Sequence, residues 1–317
     1  MIYLELFAGF IYLLMGGDLL VRGAVGLARR LRIPAAVVAA TVVGFGTSLP
    51  ELVVSVQATV TGYPNLILGN VVGSNIANVL LVGGAAAAIF PLVYEDAAAR
   101  RNAFIMIAAS VGFAAVCAFG TLGRPVGAAL LVAFGVIMAT TAGSTLRAKA
   151  NADTSTPLDW VLGLPHRPPT IGLFILAGLV MLPLGAQMLV RSAVDFAARF
   201  GIPETVVGLT VLAVGTSLPE LTTTVLAALE KRSDVAVGAI VGSNIFNILT
   251  IMGVSALLSA EPIPVSVRFA AFDLPVMLIS SAALAWFAWR ARAIGRGAGI
   301  AMLSGYGVYL GILLMLA

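Results

Sequence analysis

Two glutamates lie where a membrane-like sequence should not hold them. Glu51 and Glu220 fall near the middle of apolar runs long enough to cross a bilayer, and no Lys or Arg lies at similar depth in either run. An ionisable group at that depth costs at least ~2.5–3.5 kcal/mol on insertion scales. A bound cation is the natural compensator; two protonated acids packed as neutral groups are the alternative. Each glutamate sits in the same polar heptad, Gly46-Thr47-Ser48-Leu49-Pro50-Glu51-Leu52 and Gly215-Thr216-Ser217-Leu218-Pro219-Glu220-Leu221. Glycine and proline inside a helix interrupt its ladder and free backbone carbonyls. Such backbone survives at membrane depth only where it is buried in protein or lines a wet cavity. Freed carbonyls, the hydroxyls of Thr47 and Thr216, and carboxylates are all hard oxygen donors, suited to Na⁺, K⁺ or Ca²⁺. Calcium takes six to eight oxygens in flexible geometry, whereas Mg²⁺ demands a tight octahedron and keeps its water.

A second polar block accompanies the first. Gly73-Ser74-Asn75-Ile76-Ala77-Asn78 has its twin in Gly242-Ser243-Asn244-Ile245-Phe246-Asn247. Ser74 and Asn78 are four apart, as are Ser243 and Asn247, so each pair shares one helix face. Small polar faces also hold membrane helices together without a ligand, but their pairing with the glutamate motif favours a site. Asn75 and Asn244 point elsewhere and are expected to cap or bridge backbone. Zinc or copper is not expected: the only histidine, His166, lies in a linker, and the only cysteine, Cys117, lies in an apolar run.

The elements that carry these motifs follow from composition. Of 317 residues, 60% are hydrophobic and 10% charged, with a mean hydropathy of +1.07, against roughly 45–50% apolar and about 25% charged in soluble domains. That excludes a water-soluble enzyme or binding module. The apolar runs give ten candidate helices: Tyr3–Ala28, Pro34–Val60, Pro64–Phe90, Arg101–Phe119, Pro125–Leu146, Thr170–Arg199, Pro203–Leu229, Asp234–Ser259, Arg268–Trp289 and Arg296–Leu316. Met1–Leu27 reads as a retained span because it lacks a basic leader and a cleavage site.

Both motif pairs share an offset of 169 residues, and the register runs without a gap from about Gly9 to Gly83. Weaker matches pair Arg101 with Arg268 and Gly123-Arg124 with Gly295-Arg296. The chain is a duplicated unit of five spans, and because five is odd the halves run in opposite directions across the membrane. The predicted fold class is therefore an all-α membrane protein whose ten transmembrane helices form two inverted-topology five-helix repeats, the architecture of secondary transporters. The expected division is residues 1–146, a cytoplasmic linker over 147–169, and residues 170–317. Thirteen of the 18 basic residues fall in loops after odd-numbered spans, for example Arg29, Arg30, Arg100, Arg147, Lys231, Arg232 and Arg290. The positive-inside rule makes that side cytoplasmic and leaves both termini outside. The net charge of +4 thus sets topology and does not point to nucleic acid.

Asp18 and Arg22, four apart on the first span, read as a structural pair, and the second repeat keeps Arg191 but has Gln187 in place of the acid. Asp273, near the outer end of span nine, is expected to snorkel to the interface, with shaping an entry path as the alternative.

These residues resemble the α-repeats of the cation/Ca²⁺ exchanger superfamily, and both motifs resemble its Na⁺/Ca²⁺ exchanger branch, the small prokaryotic exchangers and the K⁺-dependent type. The resemblance implies two inverted five-helix repeats in which spans one and six slide past a rigid core. It implies Glu51 and Glu220 as central shared ligands. Thr47 and Thr216 would supply oxygens for Ca²⁺ and Na⁺, with the carbonyls of Gly44 and Ala213 nearby and Ser48 and Ser217 in the same turns. Ser74 and Ser243 would line the outer and inner Na⁺ sites, and Asn78 and Asn247 would complete the middle. Two positions depart. Many relatives carry aspartate at the position of Asn247, which bears on K⁺ dependence, and Ala239 stands where the first repeat has Asn70. The Ca²⁺/H⁺ branch is less similar, since its glutamate follows a Gly-Asn motif that is absent beside Glu51 and Glu220.

The expectation is an electrogenic Na⁺/Ca²⁺ antiporter of a prokaryotic cytoplasmic (inner) membrane, with a Ca²⁺/H⁺ antiporter as the alternative and a passive cation channel as a second class. No cofactor is expected, only the transported Ca²⁺ and Na⁺. The expected partners are lipid and these ions, not nucleic acid, with the chain acting as a monomer. An enzyme is not expected, since no Ser–His, Gly-x-Gly-Asp or His-Glu-x-x-His arrangement is present.

Overall fold

The structure, a computed structural model, describes residues 2–31, 44–94, 97–149, 164–291 and 293–316. Pro34–Val43 of the second expected span and residues 150–163 of the expected linker lie outside the described residues. The helices follow the expected order. They are α1 (Ile2–Arg30), α2 (the turn Gly44–Gly46, then Leu49–Val60), α3 (Pro64–Ile89), α4 (Ala97–Cys117) and α5 (Arg124–Lys149). After them come α6 (Pro168–Phe200), α7 (Glu204–Thr216, then Leu218–Leu229), α8 (Ser233–Phe246, continuing through Met252–Leu258), α9 (Phe269–Ala291) and α10 (Arg296–Met315). Among the described residues seven helices are long and apolar enough to cross a membrane, and α7, bent by 45°, makes an eighth. The shorter apolar helices Leu49–Val60 and Arg124–Thr140 stand where the second and fifth spans are expected. Pro64 and Pro168 open α3 and α6 at their first turns, where the missing N–H costs no intrahelical bond. Gly201, at φ +64°, closes α6 in the left-handed conformation.

The inversion is visible in the pairing of α1 with α6, which occupy equivalent places in the two repeats. Gly9 meets Gly185 and Leu189, Gly16 meets Met181 and Leu182, and Gly23 meets Phe174 and Ile175. Contacts that ascend in one helix descend in the other, so equivalent helices run antiparallel. Glycines seven residues apart keep the close approach on one face, the small-residue packing that membrane helices use.

The interior belongs to α3 and α8. Within their most apolar windows 89% and 72% of residues are buried, against 22% in α1 and 33% in α6, so the helices carrying the Ser-Asn blocks form the core and α1 and α6 the periphery. Two crossings repeat by symmetry: Gly84 of α3 meets Gly299 of α10, and Gly253 of α8 meets Gly127 of α5. Among the described residues four two-residue strands join the loops: β1 (Leu92–Val93), β2 (Thr121–Leu122), β3 (Ile263–Pro264) and β4 (Ala293–Ile294). β1 pairs antiparallel with β4, and β2 with β3. Each pair ties loops that the span count places on the same face. The arginines of the weaker sequence match cap the core helices: Arg296 Nη2 donates to the Ile89 carbonyl at 3.1 Å and Arg124 Nη2 to the Ser259 carbonyl at 3.5 Å. A cation at a helix C-terminus also answers the macrodipole.

A side chain at Gly84 would put its Cβ 3.0 Å from the Gly299 carbonyl oxygen. Gly84→Leu is therefore expected to destabilise the fold by about 1–3 kcal/mol, as overpacked cores do, seen as a lower Tm in detergent. Gly112→Ala, with nothing within 4 Å, serves as the neutral or slightly stabilising control.

Candidate cation site

The chain breaks at the same point in each repeat and with the same geometry. Ser48 (φ −88°, ψ 9°) and Ser217 (φ −82°, ψ 6°) separate the two halves of α2 and α7. Pro50 and Pro219 then fall in the first turn of the second half, where proline is tolerated. Glu51 and Glu220 follow directly, so both carboxyls are held at the breaks, 0% and 1% exposed.

Each break reaches across to the acid of the other repeat. Ser48 Oγ lies 2.8 Å from Glu220 Oε1, and Ser217 Oγ lies 3.4 Å from Glu51 Oε1. Thr47 lies beside Glu220, and Thr216 beside Glu51. Ser243 of α8 donates to the same Glu220 oxygen at 3.1 Å, and its hydroxyl lies 2.9 Å from Ser48 Oγ. The structure thus brings together Glu51, Glu220, Thr47, Thr216, Ser48, Ser217 and Ser243. Ala213 sits at the base of the turn that precedes Ser217, its carbonyl accepting the Ser217 N–H at 3.2 Å. Gly44 opens the corresponding turn of α2.

The polar atoms left over are mostly oxygens. Glu51 Oε2, Glu220 Oε2, Ser74 Oγ, Asn78 Oδ1 and Asn247 Oδ1 are buried with no hydrogen-bond partner, as is Asn247 Nδ2. A buried polar atom left unpaired costs about 1–3 kcal/mol, more if charged, so this set needs a compensator. Two carboxylates amid neutral oxygens are the donor set of a hard cation. Among the described residues no group of three or more His, Cys, Asp and Glu side chains gathers, which separates this set from a transition-metal centre.

Asn78 and Asn247 each begin a π-helical stretch, Asn78–Gly83 and Asn247–Ile251. A π turn inside an α-helix often marks a functional position, and no sequence pattern announced it. Behind the site Asn78 Nδ2 donates to Asn244 Oδ1 at 3.1 Å, and Asn244 Nδ2 to the Asn75 carbonyl at 3.3 Å. The symmetry-related link does not form: Asn247 Nδ2 and Asn75 Oδ1 are both unpartnered. The two halves of the site are similar but not equal.

A cavity of about 450 Å³ runs from Glu230 and Arg232 at one face, past Thr222, Thr223, Asp18 and Arg22, to Thr47 and Pro50. Asp18 and Arg22 form the expected ion pair on its wall, Nε to Oδ1 at 2.8 Å. Helix α1 packs on both breaks: its Val21 side chain lies against Gly46 and its Phe10 ring against Gly215, each so closely that no Cβ would fit. Asp273 corrects its expectation. It does not snorkel but is 0% exposed, at the end of the π-helical stretch Phe269–Asp273, and its Oδ1 accepts from the Tyr309 hydroxyl at 3.0 Å. A tyrosine donor inside the bundle made burial cheaper than reaching the interface.

Inverted five-helix repeats around two buried carboxylates, reached by a cavity from one face, define a membrane transporter of cations and not an enzyme. The family described as Sodium/calcium exchanger protein matches residues 2–143 and 170–315, and the chain belongs to it. Two relatives align along nearly all of it. The inner membrane protein YrbG of Escherichia coli (strain K12) is 34% identical over 98% of this chain and 96% of its own length. The sodium/calcium exchanger MaX1 of Methanosarcina acetivorans is 31% identical over 98% of both. The solved structure of the sodium-calcium exchanger NCX_Mj soaked with Na⁺ and Ca²⁺ superposes with a TM-score of 0.66 at 29% identity, covering 97% of this chain and 96% of that one. Over 96 residues the chain is also 38% identical to the sodium/potassium/calcium exchanger 1 of Rattus norvegicus, 8% of that protein's length. The ions of this family are its substrates, and no cofactor is implied.

Asn247, with both amide atoms unpartnered, is the position most open to a change of charge. Asn247→Asp is expected to fold and to shift ion preference toward divalent cations, read by competition between Ca²⁺ and Na⁺. An unchanged preference would take Asn247 out of the ligand set.

Proposed function

We propose that this protein exchanges Na⁺ for Ca²⁺ across the cytoplasmic membrane by alternating access, extruding Ca²⁺ at the expense of the Na⁺ gradient. The observation that carries the reading is the crossed pair of buried carboxylates, each approached by the broken turn of the opposite repeat. Two ionised carboxylates give the site a charge of −2, which one Ca²⁺ or two Na⁺ would neutralise. Competition for one anionic cage couples the ions without further machinery, because an uncompensated charge inside the bundle is expensive. A third Na⁺ held by neutral oxygens would make the exchange electrogenic, and the Thr, Ser and Asn oxygens around the glutamates are available for it.

The proposed ligands are Glu51, Glu220, Thr47, Thr216, Ser74, Ser243, Asn78, Asn247, Ser48 and Ser217, with the carbonyls of Gly44 and Ala213. Residues 1–146 and 170–317 act as the two moving-and-fixed repeats, joined by a cytoplasmic linker over 147–169, and one chain suffices. The face bearing Lys231 and Arg232 is assigned to the cytoplasm by the excess of basic residues in its loops, so both termini lie outside. On that assignment the cavity beside Thr47 opens inward.

The test is ⁴⁵Ca²⁺ uptake into proteoliposomes loaded with Na⁺. Uptake is expected to require an outward Na⁺ gradient and to collapse when external Na⁺ matches. Uptake that ignores Na⁺ and follows ΔpH would hand the site to proton exchange. Glu51→Gln and Glu220→Gln are each expected to abolish exchange while the protein remains folded. Near-normal transport by either variant would refute the site.

A further inference from the structure

The two glutamates are not held alike, and the difference traces to one position. Asn70 of α3 is a joint between three helices. Its Nδ2 donates to the Ser55 hydroxyl at 3.0 Å and to the Glu51 carbonyl at 3.3 Å. Its Oδ1 lies 3.3 Å from Thr216 Oγ1, which has the Leu212 carbonyl at 3.0 Å as its other acceptor. Asn70 therefore fixes the turn that carries Glu51 and takes a share of the Thr216 proton, leaving that hydroxyl's lone pairs toward the site. Asn70 and Ser55 are both fully buried.

Carried over by the 169-residue offset, Ser55 becomes Thr224 and Asn70 becomes Ala239. A methyl group can make none of these bonds. Thr224 keeps a hydroxyl where Ser55 has one, is 0% exposed, and has no partner. The acceptor for a clamp is present in the second repeat and the clamp is not. The serines show the counterpart: Glu220 accepts from Ser48 and Ser243 at 2.8 and 3.1 Å, whereas Glu51 has a single serine contact, from Ser217 at 3.4 Å. Those serine bonds must rearrange when a cation takes the carboxylate.

We propose that Ala239 is a positioning residue that makes Glu220 the adaptable half of the cation site, by withholding the clamp that Asn70 gives Glu51. This rests on the reading of Glu51 and Glu220 as cation ligands. A ligand that is fixed beforehand binds more tightly than one ordered by its ion, so position 239 sets affinity through Glu220 without touching the cation.

The test is ion-dependent stabilisation of purified protein in detergent, read as Tm against Na⁺ and separately against Ca²⁺. A wild-type Tm indifferent to both ions would remove the cation-site reading and this proposal with it. Given a wild-type response, Ala239→Asn is expected to lower the half-saturating concentration of each ion by about three- to tenfold, the span of one net buried hydrogen bond. Asn70→Ala is expected to raise it by a similar factor, and it decides the matter alone should Ala239→Asn fail to fold. Adding Thr224→Val to Ala239→Asn is expected to cancel the gain, because the new amide loses the acceptor that Ser55 supplies to Asn70. Half-saturating concentrations that stay fixed in folded variants, while only the ion-free Tm moves, would reduce both positions to packing and overturn the proposal.

Discussion

Everything in this molecule answers to the problem of keeping two carboxyl groups inside a membrane. A charge there is unaffordable unless matched, and matching it with a fixed Lys or Arg would leave nothing for an ion to do. The chain matches it with oxygens whose partners are incomplete. That choice explains the broken turns, since only an interrupted helix can bring Thr47, Ser48 and the start of the next helix to one point. It also explains why the breaks lie between α3 and α8. Those helices are buried nearly throughout, so their serines and asparagines can face the carboxylates without facing lipid, as non-helical backbone at this depth requires.

The division of labour among the helices follows. α3 and α8 are joined through Asn78, Asn244 and Asn75, a link of amides that fixes the floor of the site. α1 and α6 meet through glycines spaced by seven and are the least buried of the long spans apart from α4 and α10. Glycine contacts between helices offer little side-chain interdigitation to lock a register. A pair packed that way is suited to sliding. Phe10 of α1 has its ring against Gly215 at one break, and Asp18 and Arg22 of the same helix line the cavity at the other. A displacement of α1 would thus act at both breaks.

Much of this was legible in the sequence, for physical reasons that can be named. Membrane depth forbids most residue types, so a Glu, a Pro or an Asn inside an apolar run stands out against its background, and the heptads at 46–52 and 215–221 hold the two glutamates that the structure brings together across the repeats. The repeat offset delivered the inverted topology, because an odd number of spans leaves no other arrangement. Hidden were features that depend on three-dimensional packing. The π turns beginning at Asn78 and Asn247 have no composition signature. Asp273 was misjudged because its partner, Tyr309, lies 36 residues away on another helix. Asn70 differs from its repeat partner Ala239, and its spacing of four residues before Ser74 extends the polar face that Ser74 and Asn78 begin.

Duplication poses a last question, since two identical halves that exchange conformations would give two states of equal energy, and only departures from identity can set the populations of those states apart. The structure shows where symmetry is broken: Asn247 is unlinked where Asn78 is linked, Gln187 stands where Asp18 lines the cavity, and Ala239 stands where Asn70 ties three helices. The first difference involves two asparagines, so it can reverse when the helices rearrange. The other two are written in the sequence and cannot. They set the two halves apart permanently, one at the cavity wall and one behind a glutamate, so the two states need not be equal in energy. An inverted repeat supplies the two states, and the residues that depart from it supply the preference between them.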